Sequence, residues 1–300
     1  MPSIAPIVLF VYARPEHTRR TLDALAANGL ANQSDLIVYA DAPRSENEAE
    51  QVCAVRDMVR FASGFRSVNV IERETNYGLA RNIIEGVTEV CNRFGRVIVL
   101  EDDIVTSPSF LPFMNAALER YADDSCAWHV SGWNYPIDPE GLGDAFFWRA
   151  MNCWGWATWA DRWTFIQKAP QRLIGSWGKE KIKRFNLDGT HDFWNQITAN
   201  QVGKSNTWAI FWYATIFENN GLCLNPAQSF VLNIGNDGTG ENCVGTARFS
   251  ANKLGQTFND LPACNEESTL AVQRIKAFYI GTRMPLIQKL IRRIKGLFLA

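Results

Sequence analysis

Three adjacent carboxylates, Glu101-Asp102-Asp103, stand directly after the apolar run Val97–Leu100. Like charges this close repel, and they ionise together only beside a cation. Hard oxygen ligands of this kind favour Mg2+ or Mn2+. An ion held there would bridge a diphosphate and neutralise it as a leaving group. The competing reading is a solvated acidic loop, and the apolar residues on both sides, Leu100 and Ile104, weigh against it. Other polar groups also lie just past apolar runs: Arg14 after Ile7–Val11, Asp41 after Leu36–Ala40 and Asn76 after Val68–Ile71. Together with Arg81 they suit a nucleotide. Asp41 would accept from a base or ribose, and Arg14 or Arg81 would pair with phosphate. Glu46 and Glu48 lie in a polar stretch and read as solvated.

The elements that must position these groups alternate along the first third of the chain. Strands are predicted at Ile7–Val11, Leu36–Ala40, Val68–Ile71 and Val97–Leu100, and helices at Glu16–Asn28, Glu46–Phe61 and Leu79–Phe94. A further helix is expected to open at Ser107-Pro108, with Ser as N-cap and Pro at the first position. Strands alternating with helices imply an α/β fold, a mostly parallel sheet flanked by helices with right-handed crossovers. In such sheets ligands bind beyond the carboxyl ends of the strands, which is where the polar groups fall.

Length and balance exclude several classes. The 300 residues suffice for one full core, and 47% are hydrophobic against 20% charged, which excludes a mainly disordered chain. Net charge is −1, so a dedicated nucleic-acid binder is not expected. No apolar run approaches the roughly 20 residues of a spanning helix. Met1–Pro6 has no cationic segment before its apolar run, so no signal peptide is expected, and scattered cysteines fit a reducing cytoplasm. The seven cysteines form no CxxC pair and the three histidines are far apart, which speaks against a zinc site. The loop Tyr12–Arg20 has no glycine, against a dinucleotide fingerprint or P-loop, and no Gly-x-Ser-x-Gly elbow occurs.

All 11 tryptophans lie between Trp128 and Trp212. An indole stacks its apolar face on a sugar ring while its N–H donates a hydrogen bond. Any single Trp is more often core, but a cluster such as Cys153–Trp163 suggests at least one sugar-facing ring. The last stretch, 285–300, sets seven apolar residues at helical spacing with Lys289, Arg292, Arg293 and Lys295 between them. This reads as an amphipathic tail for an anionic membrane surface, the competing reading being a terminal helix packed on the domain. The expected organisation is a single catalytic domain, 1–282, with a nucleotide-sugar half to 106, an aromatic acceptor half after it, and a tail, 283–300.

The chain resembles GT-A-fold glycosyltransferases, with their Rossmann-like sheet, and in particular N-acetylglucosaminyltransferase I-like enzymes and related bacterial sugar transferases. The resemblance runs from about Phe10 to Gly240 through Tyr12-Ala-Arg-Pro, Tyr39-Ala-Asp41, Asn76–Arg81, Glu101–Pro108, Ser131-Gly-Trp133, Trp154-Gly-Trp156, Trp208–Trp212 and Asn219–Pro226. It implies a UDP-sugar donor, a divalent metal (usually Mn2+), Asp103 as metal ligand and Asp102 on the donor sugar or ribose. Arg14, Asp41 and Asn76 match nucleotide-side positions, with Asn76 where animal members have His. Trp133, Trp154 and Trp156 are the expected stacking residues. The family inverts the anomeric centre with a carboxylate base from a Trp-Asp-Asp-Trp stretch, but Trp208-Ala-Ile-Phe-Trp212 has no acid. Inversion still needs a carboxylate near the acceptor hydroxyl. Asp161, Asp188, Asp192 and Glu218 are the candidates. Asp192 comes first, because Phe193-Trp194 would desolvate it and raise its pKa, and Asp188 second. Gly189-Thr-His191 between them is expected to be a flexible stretch that closes over donor. The implied function is transfer of a sugar to a glycan or lipid-linked glycan in surface polysaccharide synthesis, at the inner face of the membrane. The contrasting reading is a catalytically inactive sugar- or nucleotide-sugar-binding protein on the same fold. A phosphohydrolase using Asp102 and Asp103 fits less well, since no second metal-ligand group is evident.

Overall fold

The computed structural model describes residues 4–237, 249, 254–262 and 266–282. The predicted amphipathic tail, 283–300, lies outside them. The four apolar runs form β1 (Ile7–Val11), β2 (Asp35–Ala40), β3 (Ser67–Glu72) and β4 (Arg96–Glu101). Between them lie α1 (Pro15–Ala26), α2 (Glu46–Arg60) and α3 (Gly78–Phe94). β1 is buried at every position, as expected of a parallel strand covered on both faces. Proline at the start of α1 is favourable, since the first N–H of a helix lacks an intrahelical partner. Gly86 lets α3 close onto the sheet, because a Cβ there would meet the Phe10 ring at 2.9 Å and the Tyr39 ring at 3.0 Å.

A short strand missed by the sequence reading follows the carboxylates: β5 (Ile104–Thr106). It pairs antiparallel with β10 (Val231–Asn233), and Ser107 N extends the link by donating to Phe230 O at 2.8 Å. Ser107 and Pro108 are thereby held in a turn, so α4 (Phe110–Arg120) begins later than expected. Its Leu111 N–H is met from outside by Asn28 Oδ1 at 2.9 Å, not by Ser107.

The aromatic half continues the sheet. It adds β6 (Ala127–Ser131), β7 (Ala145–Trp148), β8 (Trp156–Trp159) and β9 (Leu222–Pro226), with α5 (Ala160–Trp163), α6 (Pro170–Ser176), α7 (Lys179–Phe185), α8 (Trp194–Gln201), α9 (Ala209–Glu218) and, last, α10 (Thr269–Gly281). The order is β3-β2-β1-β4-β8-β6-β9-β7 in one eight-stranded sheet. Only β8 and β7 run against the rest, β8 pairing antiparallel with β4 and β6, and β7 with β9. The carboxyl ends of β1–β4 and β6 therefore share one edge with the amino end of β8. No helix among the described residues is long and apolar enough to cross a membrane.

Candidate functional site

At that edge Asp102 and Asp103 are 4% and 6% exposed. Their turn is pinned from two sides: Thr21 Oγ1 donates to Asp102 O at 2.8 Å, and Ile234 N donates to Asp103 O at 2.9 Å. Arg14, from the loop after β1, bridges both carboxylates, donating Nη2 to Asp103 Oδ2 at 3.0 Å and closely to Asp102 Oδ1. Burial disfavours the charge on Arg14, but the two carboxylates outweigh it and raise its pKa. Asp102 titrates above its ordinary value because burial outweighs the Arg14 pair. Glu101 is pushed up to about 8, by burial first and then by Asp103 and Asp102. Burial and the crowding of three carboxyl groups beside one guanidinium both favour the protonated form of Glu101.

The cluster lines a cavity of about 410 Å3 that also takes in Asp41, Arg44, Glu48 and Asn76. Five carboxylates (Asp41, Glu48, Glu101, Asp102 and Asp103) face two guanidinium groups, Arg14 and Arg44. Asp41 is buried and serves the backbone. Oδ1 accepts from Ala42 N and Tyr77 N, and Oδ2 from Gly78 N, each at 2.9 Å. A carboxylate at the N-terminus of α3 also complements the helix dipole. Asn76 donates Nδ2 to Ala42 O at 2.7 Å. Arg81, expected on phosphate, does not line the cavity: it is exposed, paired with Glu85 and stacked over Tyr77. Glu48, expected to be solvated, does line it. Glu48 accepts from Tyr12 Oη at 2.6 Å, and Arg44 closes the group by donating its N–H to that same oxygen of Tyr12 at 3.0 Å.

Gly235 is a site residue that sequence reasoning missed. Its N–H donates to Asn233 Oδ1 at 2.8 Å. A Cβ added here would fall well under 3.0 Å from Asp103 Oδ2 and 3.0 Å from Arg14 Nη1. The bare backbone therefore lies against the carboxylate–guanidinium cluster. Nothing local marks this glycine; it comes to Asp103 only through the β5–β10 pairing.

A second cavity, about 260 Å3, opens at the same sheet edge between the loop after β6, the loop before β8, and α8 and α9. Trp133 and Trp154 line it, with ring centroids 4.8 Å apart at 75°. Trp156, the third expected stacking residue, is instead core. It is 1% exposed, stacked on His129 and Trp208 and packed on Trp163. A strand buried on both faces leaves it no ligand face.

Neither carboxylate expected as the base lines either cavity. Asp192 is exposed, so Phe193 and Trp194 do not desolvate it. Its Oδ1 accepts from Asn195 N at 3.2 Å and Asn186 Nδ2 at 3.1 Å, which tethers the start of α8. Burial pushes Asp188 up, but its bonds to Lys276 and Arg149 outweigh this and hold it below the usual carboxylate value. The stretch between them is a tight turn rather than a loose loop. Gly189 N donates to Lys183 O, Thr190 N to Leu187 O and His191 N to Asn186 O, while the His191 ring stacks on Tyr279 at 4.2 Å. Asp161 pairs with Arg162, and Glu218 with Arg172 and the Trp177 indole.

Among the described residues no three His, Cys, Asp or Glu side chains converge into a ready metal cage. The arrangement fits an ion shared with a bound diphosphate, held by one or two carboxylates and by substrate oxygens. Asp103 and Asp102 are the side chains at this edge that could supply the protein's share of such a ligand set. The donor set is the observation in favour: five carboxylates line the cavity against two guanidinium groups.

No protein-family model matches this sequence, and no curated protein matches it. Solved structures with similarity include a mannosyltransferase from Pyrobaculum calidifontis in complex with GDP-Man and Mn2+, 11% identical over 72% of this chain and 71% of its own, TM-score 0.35. A UDP-glucose pyrophosphorylase complexed with UDP-glucose is also 11% identical, over 74% of this chain and 90% of its own, TM-score 0.37. At this level of similarity nothing about the site transfers, and its reading rests on its own geometry.

Proposed function

We propose that the protein transfers a sugar from a nucleotide-linked donor, UDP-linked in our reading, to a hydroxyl of a glycan or lipid-linked glycan, with inversion. The observation that carries this is the buried carboxylate cluster bridged by Arg14, in a cavity at the carboxyl ends of β1, β2 and β4. A diphosphate brought to a cavity with more carboxylates than guanidinium groups would be repelled by the protein alone. A divalent cation held there would supply the missing positive charge and stabilise the leaving diphosphate. The chain's own residues orient the donor. Arg14 sits within reach of both carboxylates and is the guanidinium placed to meet a phosphate oxygen. Asp41 and Asn76 hold the turn that walls the far side of the cavity. For the base we keep Asp192, which lies outside both cavities but directly precedes Phe193 in the wall of the second, with Asp188, paired with Arg149 and Lys276, as the alternate.

The test is nucleotide release from a panel of nucleotide sugars, with Mn2+, with Mg2+ and with chelator. Release in metal and its loss in chelator are expected. If no nucleotide sugar binds under any of the three conditions, the proposal fails. A second reading has one observation behind it: no carboxylate among the described residues lines the second cavity. On that reading the protein binds nucleotide sugars without turnover, and saturable binding with no release in any metal would select it.

A further inference from the structure

We infer that the second cavity holds the uncharged terminal sugar of the acceptor, and that Asn152 is the side chain that recognises it. This rests on the transferase reading above and deepens it. The cavity, about 260 Å3, is smaller than the roughly 300–1,000 Å3 of sites for drug-sized ligands. It suits one ring rather than an extended chain. Half of its lining residues are aromatic, with Trp133, Trp154, Phe249 and Tyr135 among them. Indole rings offer an apolar face to the C–H surface of a pyranose. No Asp, Glu, Lys or Arg is among the described residues that line it. Against the described lining a charged ligand would lose its water without gaining a countercharge, which favours a neutral one.

Asn152 adds the polar contact. It is 8% exposed, and its Nδ2 is buried without a hydrogen-bond partner. Native structures leave few buried donors unmet, and those few call for an explanation. Slackness of the loop does not explain it, because the backbone of Asn152 is held from the core. Trp212 Nε1 donates to His129 Nδ1 at 3.2 Å, so the other ring nitrogen, Nε2, carries the hydrogen and donates to Asn152 O at 3.0 Å. Burial pushes His129 down to about 3, which keeps the ring neutral and this tautomer in place. The relay fixes the main chain and leaves the amide as an uncommitted donor. A hydroxyl, ring or N-acetyl carbonyl oxygen of a sugar would supply its acceptor. The location agrees, since the loops after β6 and before β8 lie at the edge where β4 delivers the carboxylates.

The experiment uses the full chain, with glucose, galactose, N-acetylglucosamine and glucuronic acid as probes, with and without UDP and Mn2+. Saturation-transfer NMR and intrinsic tryptophan fluorescence report binding. At least one neutral pyranose should saturate, while glucuronate, the same ring with a carboxylate, should not. Asn152→Ala should weaken that sugar about five- to tenfold, the usual loss for one hydrogen bond, with UDP affinity unchanged. In unaltered protein labelled with 15N-asparagine, a side-chain amide resonance that disappears in Asn152→Ser should move on sugar addition. Absence of neutral-sugar binding while UDP still binds overturns this inference alone. So does glucuronate binding as well as glucose, or an Asn152 amide that does not respond. Absence of UDP binding overturns the transferase reading instead.

Discussion

Gly235→Ala tests whether the carboxylate–guanidinium cluster is the reacting end of the donor site. The new methyl would sit well under 3.0 Å from Asp103 Oδ2, a separation that real Cβ atoms essentially never show. It would also press on Arg14 Nη1 at 3.0 Å. Asp103 cannot retreat freely. Its carbonyl is tied to Ile234 N at 2.9 Å and its carboxylate to Arg14 at 3.0 Å. The carboxylate must therefore swing away by roughly 1 Å, and a misplacement of that size costs about 100-fold in rate. Overpacking of this kind destabilises by about 1–3 kcal/mol, which a domain of this size tolerates. The expected result is a fall of about 100-fold in nucleotide release, read as kcat/KM for the donor, with far-UV circular dichroism preserved. A folded Gly235→Ala enzyme with unaltered kcat/KM would refute the reasoning, because the displaced carboxylate would then have no part in turnover.

The titration of Glu101 sets a pH dependence. Its folded pKa is raised from 4.5 to about 8, so its contribution to stability is complete below about pH 4.5 and is lost as pH climbs through about 8. In chelator the melting temperature should therefore drop from pH 5 to pH 9 more steeply in the native chain than in Glu101→Gln; parallel curves would show that Glu101 is not held protonated by its burial beside Asp102 and Asp103. Asp192→Asn keeps a side chain able to cap α8 but removes the charge. It should leave donor affinity intact and lower turnover by about 100-fold or more. Normal turnover in that variant passes the assignment to Asp188, where Asp188→Asn would also remove the ion pairs to Arg149 and Lys276.

The first half of the sheet and the chemistry at its edge are legible in the amino-acid order alone. β1, β2 and β4 are short apolar runs, as burial on both faces of a parallel strand demands, while β3, at the edge of the sheet, alternates Val68 and Val70 with exposed Ser67 and Asn69. The polar residues that follow mark the carboxyl ends, so Arg14, Asp41, Asn76 and the three carboxylates were readable as one set. Partners far along the chain were not. Arg14 meets Asp102 across 88 residues, and β5 meets β10 across more than 120. Glu48 looked like surface because its helix turn is polar; its place beside Tyr12 depends on how α2 packs. Trp154 and Trp156 are chemically alike two residues apart, yet one lines a cavity and the other is core. Local spacing tells how much of a side chain is buried, because burial follows the period of the element. What it is buried against depends on pairings between distant segments, and those are settled only when the whole sheet closes. Gly235 shows the difference: its place against Asp103 exists only once β10 has paired with β5.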